Sequence, residues 1–162
     1  MSMRATKRPR ESVWDYPRPP RIDPLGRRVR VELGGETLAD STGAVRILET
    51  ASPPTVYLPP ADVRLEYLRP ARGETYCEWK GSAAYLDAIV GEKVRNRAAW
   101  TYRDPKPGFE GIRDWIAFYA GRVDAAWLDD ERVVPQPGPF YGGWITAELD
   151  GPFKGEPGSE GW

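Results

Sequence analysis

Along most of the chain, apolar and polar residues alternate with a period of two, which is typical of β-strands that bury one face. The clearest case is residues 28–33, Arg-Val-Arg-Val-Glu-Leu, in which charged and aliphatic residues alternate. Gly34-Gly35 follows, and such a pair indicates a tight hairpin turn into a second strand at residues 36–40. The pattern therefore predicts a mainly-β, compact single domain of antiparallel strands and hairpins.

The same alternation predicts further strands downstream. We expect them at residues 44–50, 55–58, 63–68 and 75–79, with a final hairpin around Gly121 built from residues 115–118 and 123–128. Residues 82–100 fit two structures, a helix with an apolar stripe or two strands joined at Gly91-Glu92. A glycine inside a helix costs about 1 kcal/mol relative to alanine, so we favour the hairpin.

Proline and glycine divide the chain into three segments. Residues 1–26 are rich in proline and arginine and should form an extended arm along the surface, because proline fixes φ and lacks a hydrogen-bond donor. Residues 27–135 carry the strand pattern and should form the core domain. Residues 136–162 should form a C-terminal arm that is partly disordered at its end. Gly142-Gly143 permits close backbone approach, so this arm is either a packed segment or a lid that carries Trp144.

Charge and apolar content limit the partners. The 23 lysines and arginines nearly balance the 24 aspartates and glutamates, which argues against a nucleic-acid partner or an acidic membrane surface. We interpret the basic stretch from Arg4 to Arg10 as a solvated tail. No apolar run approaches the roughly 20 residues of a membrane span. A single cysteine fits a reducing compartment, so we expect a cytoplasmic protein.

The chain contains no histidine and one cysteine, Cys77. A structural zinc site needs four cysteine or histidine ligands, and catalytic zinc usually needs two or three histidines. The serine–histidine and cysteine–histidine pairs of hydrolases lack their base as well. We therefore expect no metal site and no cofactor, and we interpret Cys77 as a small buried apolar residue without a basic partner to activate it.

Aromatic residues give the strongest indication of a ligand site. Seven tryptophans and eight tyrosines exceed what packing usually requires, and charged residues lie among them. Aromatic walls stack flat rings and hold cations, at about 0.5–2 kcal/mol per contact. We therefore predict an aromatic pocket with a cationic side chain. The candidate ligand-binding residues are Arg46, Tyr57, Trp79, Lys80, Trp100, Tyr102 and Trp144.

The charged candidates also have structural explanations. Alternation in residues 44–50 places a charge beside apolar neighbours on either face, so Arg46 either pairs inside the protein or lines a cavity. An Arg46–Glu49 or Lys80–Glu78 ion pair would be structural only. Lys80 would act as a nucleophile only if burial lowered its pKa.

Six segments, in this order, resemble the family known as domain of unknown function 427. They are residues 11–20 (ESVWDYPRPP), 45–50 (VRILET), 54–59 (PTVYLP), 77–81 (CEWKG), 98–102 (AAWTY) and 116–119 (IAFY). The resemblance spans about residues 10–135 and implies a mainly-β domain similar in topology to the β-tent group. Many β-tent proteins hold zinc through four cysteines, so this chain would be a zinc-less variant.

The family also carries the label of a nucleotidyltransferase domain. Such enzymes place a Gly-Ser pair ahead of two closely spaced aspartates that bind metal ions. Here Gly81-Ser82 is followed by Asp87 alone, and the adjacent Asp129 and Asp130 would point to opposite faces of a strand. The residues therefore give this label poor support.

Three functions remain, and we favour the binding of a small molecule. One alternative is a metal-free transferase or hydrolase that uses Glu49 with Lys80. The other is a protein-interaction module in which the Trp14–Tyr16 arm and the C-terminal arm contact a partner chain. A small-molecule ligand is the expected partner, and self-association is compatible with the sequence.

Overall fold

The computed structural model describes residues 8–159 and 161–162, so Arg4 and Lys7 of the predicted basic tail lie outside the described residues. The described residues form short strands and 3-10 helices. The strands are β1 Glu11–Ser12, β2 Arg21–Pro24, β3 Val29–Leu33, β4 Glu36–Ser41, β5 Val45–Glu49, β6 Ser52–Tyr57, β7 Leu68–Cys77, β8 Gly81–Val90, β9 Lys93–Thr101, β10 Ala117–Phe118, β11 Ala125–Leu128, β12 Glu131–Arg132, β13 Val134–Pro135, β14 Trp144–Ile145 and β15 Leu149–Asp150. The 3-10 helices are Val13–Asp15, Pro60–Asp62, Leu65–Tyr67, Glu110–Ile112 and Ala120–Arg122.

Three sheets make up most of the domain. Their strand orders are β10-β9-β8-β7, β12-β11-β3-β4 and β2-β5-β6, and every neighbouring pair in them is antiparallel. Two smaller pairs are β13-β14, which is antiparallel, and β1-β15, which is parallel. The predicted mainly-β, antiparallel, single-domain fold is confirmed. The likeness to the β-tent group stays a prediction.

Two predicted hairpins are present. Gly34 and Gly35 join β3 to β4 with φ values of 60° and 81°, the left-handed pair that a two-residue hairpin turn needs. Gly91-Glu92 joins β8 to β9, so residues 82–100 form the hairpin and not the helix. In both cases a glycine at the turn agrees with the alternation on each side.

Other strand predictions were wrong in part. Residues 63–68 contain a 3-10 helix, and Leu65 is 47% exposed, so the alternation there does not mark a buried face. Residues 75–77 end the long strand β7, while residues 78–80 form a turn. The final hairpin around Gly121 is absent, because β10 pairs with β9 and β11 pairs with β3. Alternation shows which face of a strand is buried, but it does not choose the partner strand.

The buried side chains form two main clusters. The larger cluster is aliphatic and includes Val31, Leu38, Leu58, Phe118 and Trp144. The second is aromatic, and its members come from the sheets that contain β6 and β9, from the loop 102–112 and from Tyr119. The candidate site lies in this second cluster. None of the helices in the described residues has the length and apolar character needed to cross a membrane.

The N-terminal segment is tied to the domain through an ion pair. β2 pairs with β5, and Arg46 of β5 binds both carboxylate oxygens of Glu11, at 2.8 and 3.1 Å. The hydroxyl of Tyr16, a buried residue, also donates to Glu11. Glu11 itself lies in β1, beside β15. The Arg46–Glu11 ion pair therefore holds both terminal segments against the β2-β5-β6 sheet.

This arrangement lowers the pKa of Glu11. Burial favours the neutral carboxyl group, but the hydrogen bonds from Arg46 and Tyr16 and the charge of Arg46 favour the carboxylate more strongly. A carboxyl group whose folded-state pKa is depressed stabilises the fold above its unfolded pKa, and this contribution disappears as the pH falls through the folded pKa.

We predict that Glu11→Gln removes part of the acid sensitivity of the fold. At pH 7 the variant should lose about 1 kcal/mol of unfolding free energy, the usual size of such a hydrogen-bonded pair. Between pH 7 and about pH 3.5, below the ordinary glutamate value, its stability should fall less than that of the wild type. Urea unfolding at both pH values measures this, with Glu92→Gln in the exposed β8–β9 turn as control. Equal acid sensitivity in wild type and Glu11→Gln would contradict the role assigned to the pair.

Candidate functional site

A cavity of about 250 Å³ lies in the aromatic cluster. One wall comes from β5 and β6, and the opposite wall comes from β7, β8 and β9. Phe140, Tyr141, Gly142 and Lys154 of the C-terminal arm complete the lining. An engineered apolar cavity of about 150 Å³ binds benzene. The space here therefore accommodates one six-membered ring with a substituent.

A three-residue turn between β7 and β8 places Lys80 in this cavity. Cys77 and Gly81 are paired across the hairpin, and residues 78–80 form the turn. Gly81 has φ of 107°, a conformation that side chains other than that of glycine rarely adopt. The loop behind the turn holds it in place, since the Lys106 amide donates to the Lys80 carbonyl at 2.9 Å.

Lys80 is a buried cation without a carboxylate partner in the described part of the chain. It is 9% exposed, and its Nζ lies 5.8 Å from the centre of the Tyr102 ring. Among the lysines of the described residues, Lys93 does form an ion pair, with Asp124. Burial opposes charging of Lys80, but the charges of Tyr57 and Cys77 in their ionised forms, the charge of Glu49 and a hydrogen bond with Cys77 outweigh it, so the pKa of Lys80 is raised. Lys80 is therefore positively charged at neutral pH.

The same cavity is lined by four buried tyrosines, whose hydroxyls differ in their hydrogen bonds. Those of Tyr85 and Tyr119 are engaged, the first with Thr75 at 2.8 Å and the second as donor to the Phe140 carbonyl at 2.9 Å. The Tyr57 hydroxyl accepts from the Trp100 indole N–H at 3.1 Å, which leaves its own O–H free to donate.

The Tyr102 hydroxyl has no hydrogen-bond partner within the described ranges. Burial raises the pKa of Tyr102, so this group keeps its proton at neutral pH. Together, Lys80, Tyr57 and Tyr102 offer three hydrogen-bond donors to one cavity.

Five of the seven candidate residues line this cavity together: Tyr57, Trp79, Lys80, Trp100 and Tyr102. Trp100 and Tyr102 share a face, as expected for alternate residues. The Tyr57 ring meets the Trp100 ring edge-on, with their centres 6.0 Å apart. Trp79 was predicted to end the strand at residues 75–79, but it lies in the β7–β8 turn.

Arg46 and Trp144 lie elsewhere. β5 directs Ile47 and Glu49 to the aromatic cavity, so Arg46, which directly precedes Ile47, points to the opposite face and pairs with Glu11. Arg46 therefore pairs inside the protein, as one of its two interpretations required, but with Glu11 and not with Glu49. Trp144 is 1% exposed in the aliphatic core, where its indole N–H donates to the Phe118 carbonyl at 2.9 Å. Both residues line a separate cavity of about 180 Å³.

The arm segment that reaches the aromatic cavity is residues 136–143, which we call the strap. The strap passes so close to Trp100 that a Cβ on Gly142 would lie 2.3 Å from the indole ring. The Gln136 side chain accepts from the Gly143 amide at 2.9 Å and donates to the Lys154 carbonyl at 2.7 Å. The contact expected of Trp144 is therefore made by the residues that precede it.

Sequence reasoning missed several residues of the cavity lining, among them Cys77, Tyr85 and Tyr119. Tyr85 was accessible to prediction, because a hairpin with its turn at Gly91-Glu92 places Tyr85 on the same face as Trp100, and the two are paired. Cys77 was interpreted as a residue without a basic partner. The β7–β8 turn brings Lys80 beside it, and the alternation pattern gave no sign of that turn. Tyr119 reaches the site across the β9–β10 pairing, which the sequence pattern did not reveal.

The acidic residues near the site are few. Glu49 lines the cavity wall, and its carboxylate lies 3.9 Å from Arg18. Across the described residues there is no group of three or more cysteine, aspartate or glutamate side chains placed to hold a metal ion. Asp87 accepts a hydrogen bond from the Arg97 amide, and Asp129 pairs with Arg27. Two of the three aspartates considered for nucleotidyl transfer thus have protein partners.

Comparison with known proteins gives one family and no curated relative. A search of curated proteins finds no match. The family model described as a domain of unknown function (DUF427) matches residues 21–129, about two thirds of the chain and both walls of the cavity. The match agrees with the resemblance in the motif segments, and the chain belongs to the DUF427 family.

Proposed function

We propose that the protein binds a small, flat organic anion in the aromatic cavity, with its negative group at Lys80. The observation that carries this proposal is the buried ammonium of Lys80, which has no carboxylate partner among the described residues. Buried charges in proteins are ordinarily paired. A cation in a low-dielectric cavity also attracts an anion more strongly than a cation at the surface does.

The groups beside Lys80 favour the same ligand. Tyr102 and Tyr57 add two O–H donors, and a carboxylate or phosphate group accepts several such bonds. The rings of Trp100, Tyr57 and Trp79 supply flat apolar walls, against which a ring of the ligand stacks. The cavity volume of about 250 Å³ limits the enclosed part to one ring with its anionic group.

One observation favours an enzymatic alternative. Glu49 and Lys80 line the same cavity, and the charge of Glu49 contributes to the raised pKa of Lys80. A carboxylate and an ammonium facing one substrate resemble the acid and base of a metal-free transferase or hydrolase. The raised pKa argues against Lys80 as a nucleophile, because a protonated amine lacks the lone pair.

The interaction-module alternative has less support. Trp14 packs on Trp162 with ring centres 5.1 Å apart and donates to the Pro152 carbonyl at 2.9 Å. The two terminal arms thus contact each other. We therefore keep the cavity as the proposed site.

We predict that wild-type protein binds benzoate more tightly than neutral benzamide, which has the same shape. Charge-assisted hydrogen bonds contribute about 1.5–3 kcal/mol, so Lys80→Met should weaken benzoate binding about 10- to 100-fold and leave benzamide nearly unchanged. Lys93→Met, which removes a surface lysine, is the matched control. Isothermal titration calorimetry measures all six combinations of the three proteins with the two ligands. Equal binding of benzoate to wild type and Lys80→Met would contradict the assignment.

The pH dependence of benzoate binding follows from the raised pKa of Lys80. Because that pKa lies above the ordinary lysine value of about 10.4, benzoate affinity should stay constant from about pH 6 to pH 9 and fall only at higher pH. Calorimetry across this range checks the expectation. A decline that begins between pH 7 and pH 9 would show that Lys80 loses its proton too early for this role.

Cys77 is the chain's one thiol and reports on the cavity that it lines. We expect Lys80 to attract iodoacetate but not iodoacetamide. The ratio of their alkylation rates at Cys77 should therefore exceed the ratio for glutathione in the same buffer, by roughly tenfold for an attraction of about 1.4 kcal/mol. In Lys80→Met, the ratio of the two alkylation rates at Cys77 should equal the ratio for glutathione. A wild-type ratio equal to that of glutathione would count against an anion site at Lys80.

The enzymatic alternative is separated from binding by Glu49→Gln. If the protein only binds its ligand, the variant keeps benzoate affinity within about threefold, because the change leaves all three donors in place. For an acid–base enzyme, the same variant abolishes turnover of esters and amides of aromatic acids while binding persists. Mass spectrometry of those esters and amides after incubation with both proteins distinguishes the two outcomes, and no turnover by wild type excludes the enzyme for this substrate class.

A further inference from the structure

We infer that the natural ligand is longer than the enclosed cavity, with a flat apolar tail that lies across the cavity mouth against Tyr76, Phe140 and Tyr141. This inference rests on the proposed function and adds the length and shape of the ligand to it. The anionic head occupies the interior at Lys80, and the tail is an aromatic or similarly flat group.

The first argument is the distribution of exposed apolar side chains. Large apolar side chains at the surface of a soluble protein are normally scattered singly, and a cluster of them marks a binding surface. Seven large hydrophobic residues are exposed in the described chain, and three of these line the cavity: Tyr76 at 65%, Phe140 at 52% and Tyr141 at 36%. The mouth is therefore the place where exposed rings are concentrated.

The second argument is that these rings come from two separate segments. Tyr76 lies near the end of β7, whereas Phe140 and Tyr141 belong to the strap. Phe140 and Tyr141 meet edge-on, with ring centres 5.2 Å apart. A ligand that leaves the cavity thus passes rings contributed by both segments.

The third argument is that the rings at the mouth are restrained before any ligand binds. The Phe140 carbonyl accepts the Tyr119 hydroxyl, and Gly142 packs directly on Trp100, so the strap is fixed to the cavity wall. Lys154 lies 5.3 Å from the Tyr141 ring centre and Lys106 lies 4.7 Å from that of Tyr76, both cation–π contacts. Pre-ordered contact groups bind more tightly, because less conformational freedom is lost.

The fourth argument is size. A volume of about 250 Å³ encloses one ring and its anionic group, so anything further along the ligand must lie at the mouth. The rings there are exposed to solvent in the unliganded protein. A flat tail would cover apolar surface on both the ligand and the protein, and aromatic pairs prefer stacked or edge-on contact.

The test compares benzoate with biphenyl-4-carboxylate, which has the same head and an added flat ring, by isothermal titration calorimetry. Wild type should bind the longer probe about tenfold more tightly. Tyr76→Ala and Phe140→Ala should each remove most of this gain, and so weaken binding of the longer probe several-fold more than binding of benzoate. Both side chains are largely exposed, and Phe140 bonds the wall through its backbone, so neither change removes a buried side chain or a side-chain hydrogen bond of the fold. Leu65→Ala, at an exposed apolar position outside the cavity lining, is the matched control.

The outcomes separate this inference from the proposed function. Equal affinity of wild type for the two probes, or a gain that survives both mouth substitutions, overturns the tail and leaves the anion site standing. If Leu65→Ala also removes the gain in affinity for the longer probe, the tail is likewise overturned and the anion site stands. Failure of wild type to bind benzoate overturns the proposed function, and the longer ligand with it.

Discussion

The site depends on a lysine ammonium enclosed by aromatic rings. Lys80 is buried and charged, with no carboxylate of the described residues within ion-pair distance. Its position follows from a short turn, in which Gly81 takes a left-handed conformation and a neighbouring loop binds the Lys80 carbonyl. The groups that act on it are the Tyr57 and Cys77 side chains and the charge of Glu49, and the Tyr102 ring lies 5.8 Å from its Nζ. A buried cation without a carboxylate partner favours the binding of an anionic ligand, as proposed, over a purely structural role.

Both walls of the cavity are strands, which explains how so many rings remain ordered around an open space. The Tyr57–Trp100 hydrogen bond joins the two sheets directly across the site. The strap closes one side without filling the cavity, because Gly142 has no side chain to push it away from Trp100. Sites built on strands hold their geometry more closely than sites on loops. The proposed ligand would therefore meet a cavity whose walls are already ordered by strand pairing.

Local pattern determined how much of this could be predicted. Alternation with glycine turns predicted the β3–β4 and β8–β9 hairpins. It failed for the hairpin around Gly121, since those strands join different sheets. Pairing between distant strands depends on the whole core and leaves no local signal.

The same limit applies to the candidate residues. Aromatic clustering with charge pointed to five residues that the structure brings together, including Lys80. The faces of β5 were known from alternation, but which face met the rings was not, so Arg46 was included and Ile47 was not. Trp144 was chosen for its place in a glycine-rich arm, whereas its indole instead anchors the aliphatic core.

The most direct test of the central claim is to ask what the protein carries from the cell. Wild type and Lys80→Met, purified in buffers without organic acids, would be denatured and the released small molecules compared by mass spectrometry. The account predicts a flat organic anion released from wild type in near-stoichiometric amount and strongly reduced in Lys80→Met. Release of the same anion in equal amount from both proteins would contradict a site built around Lys80.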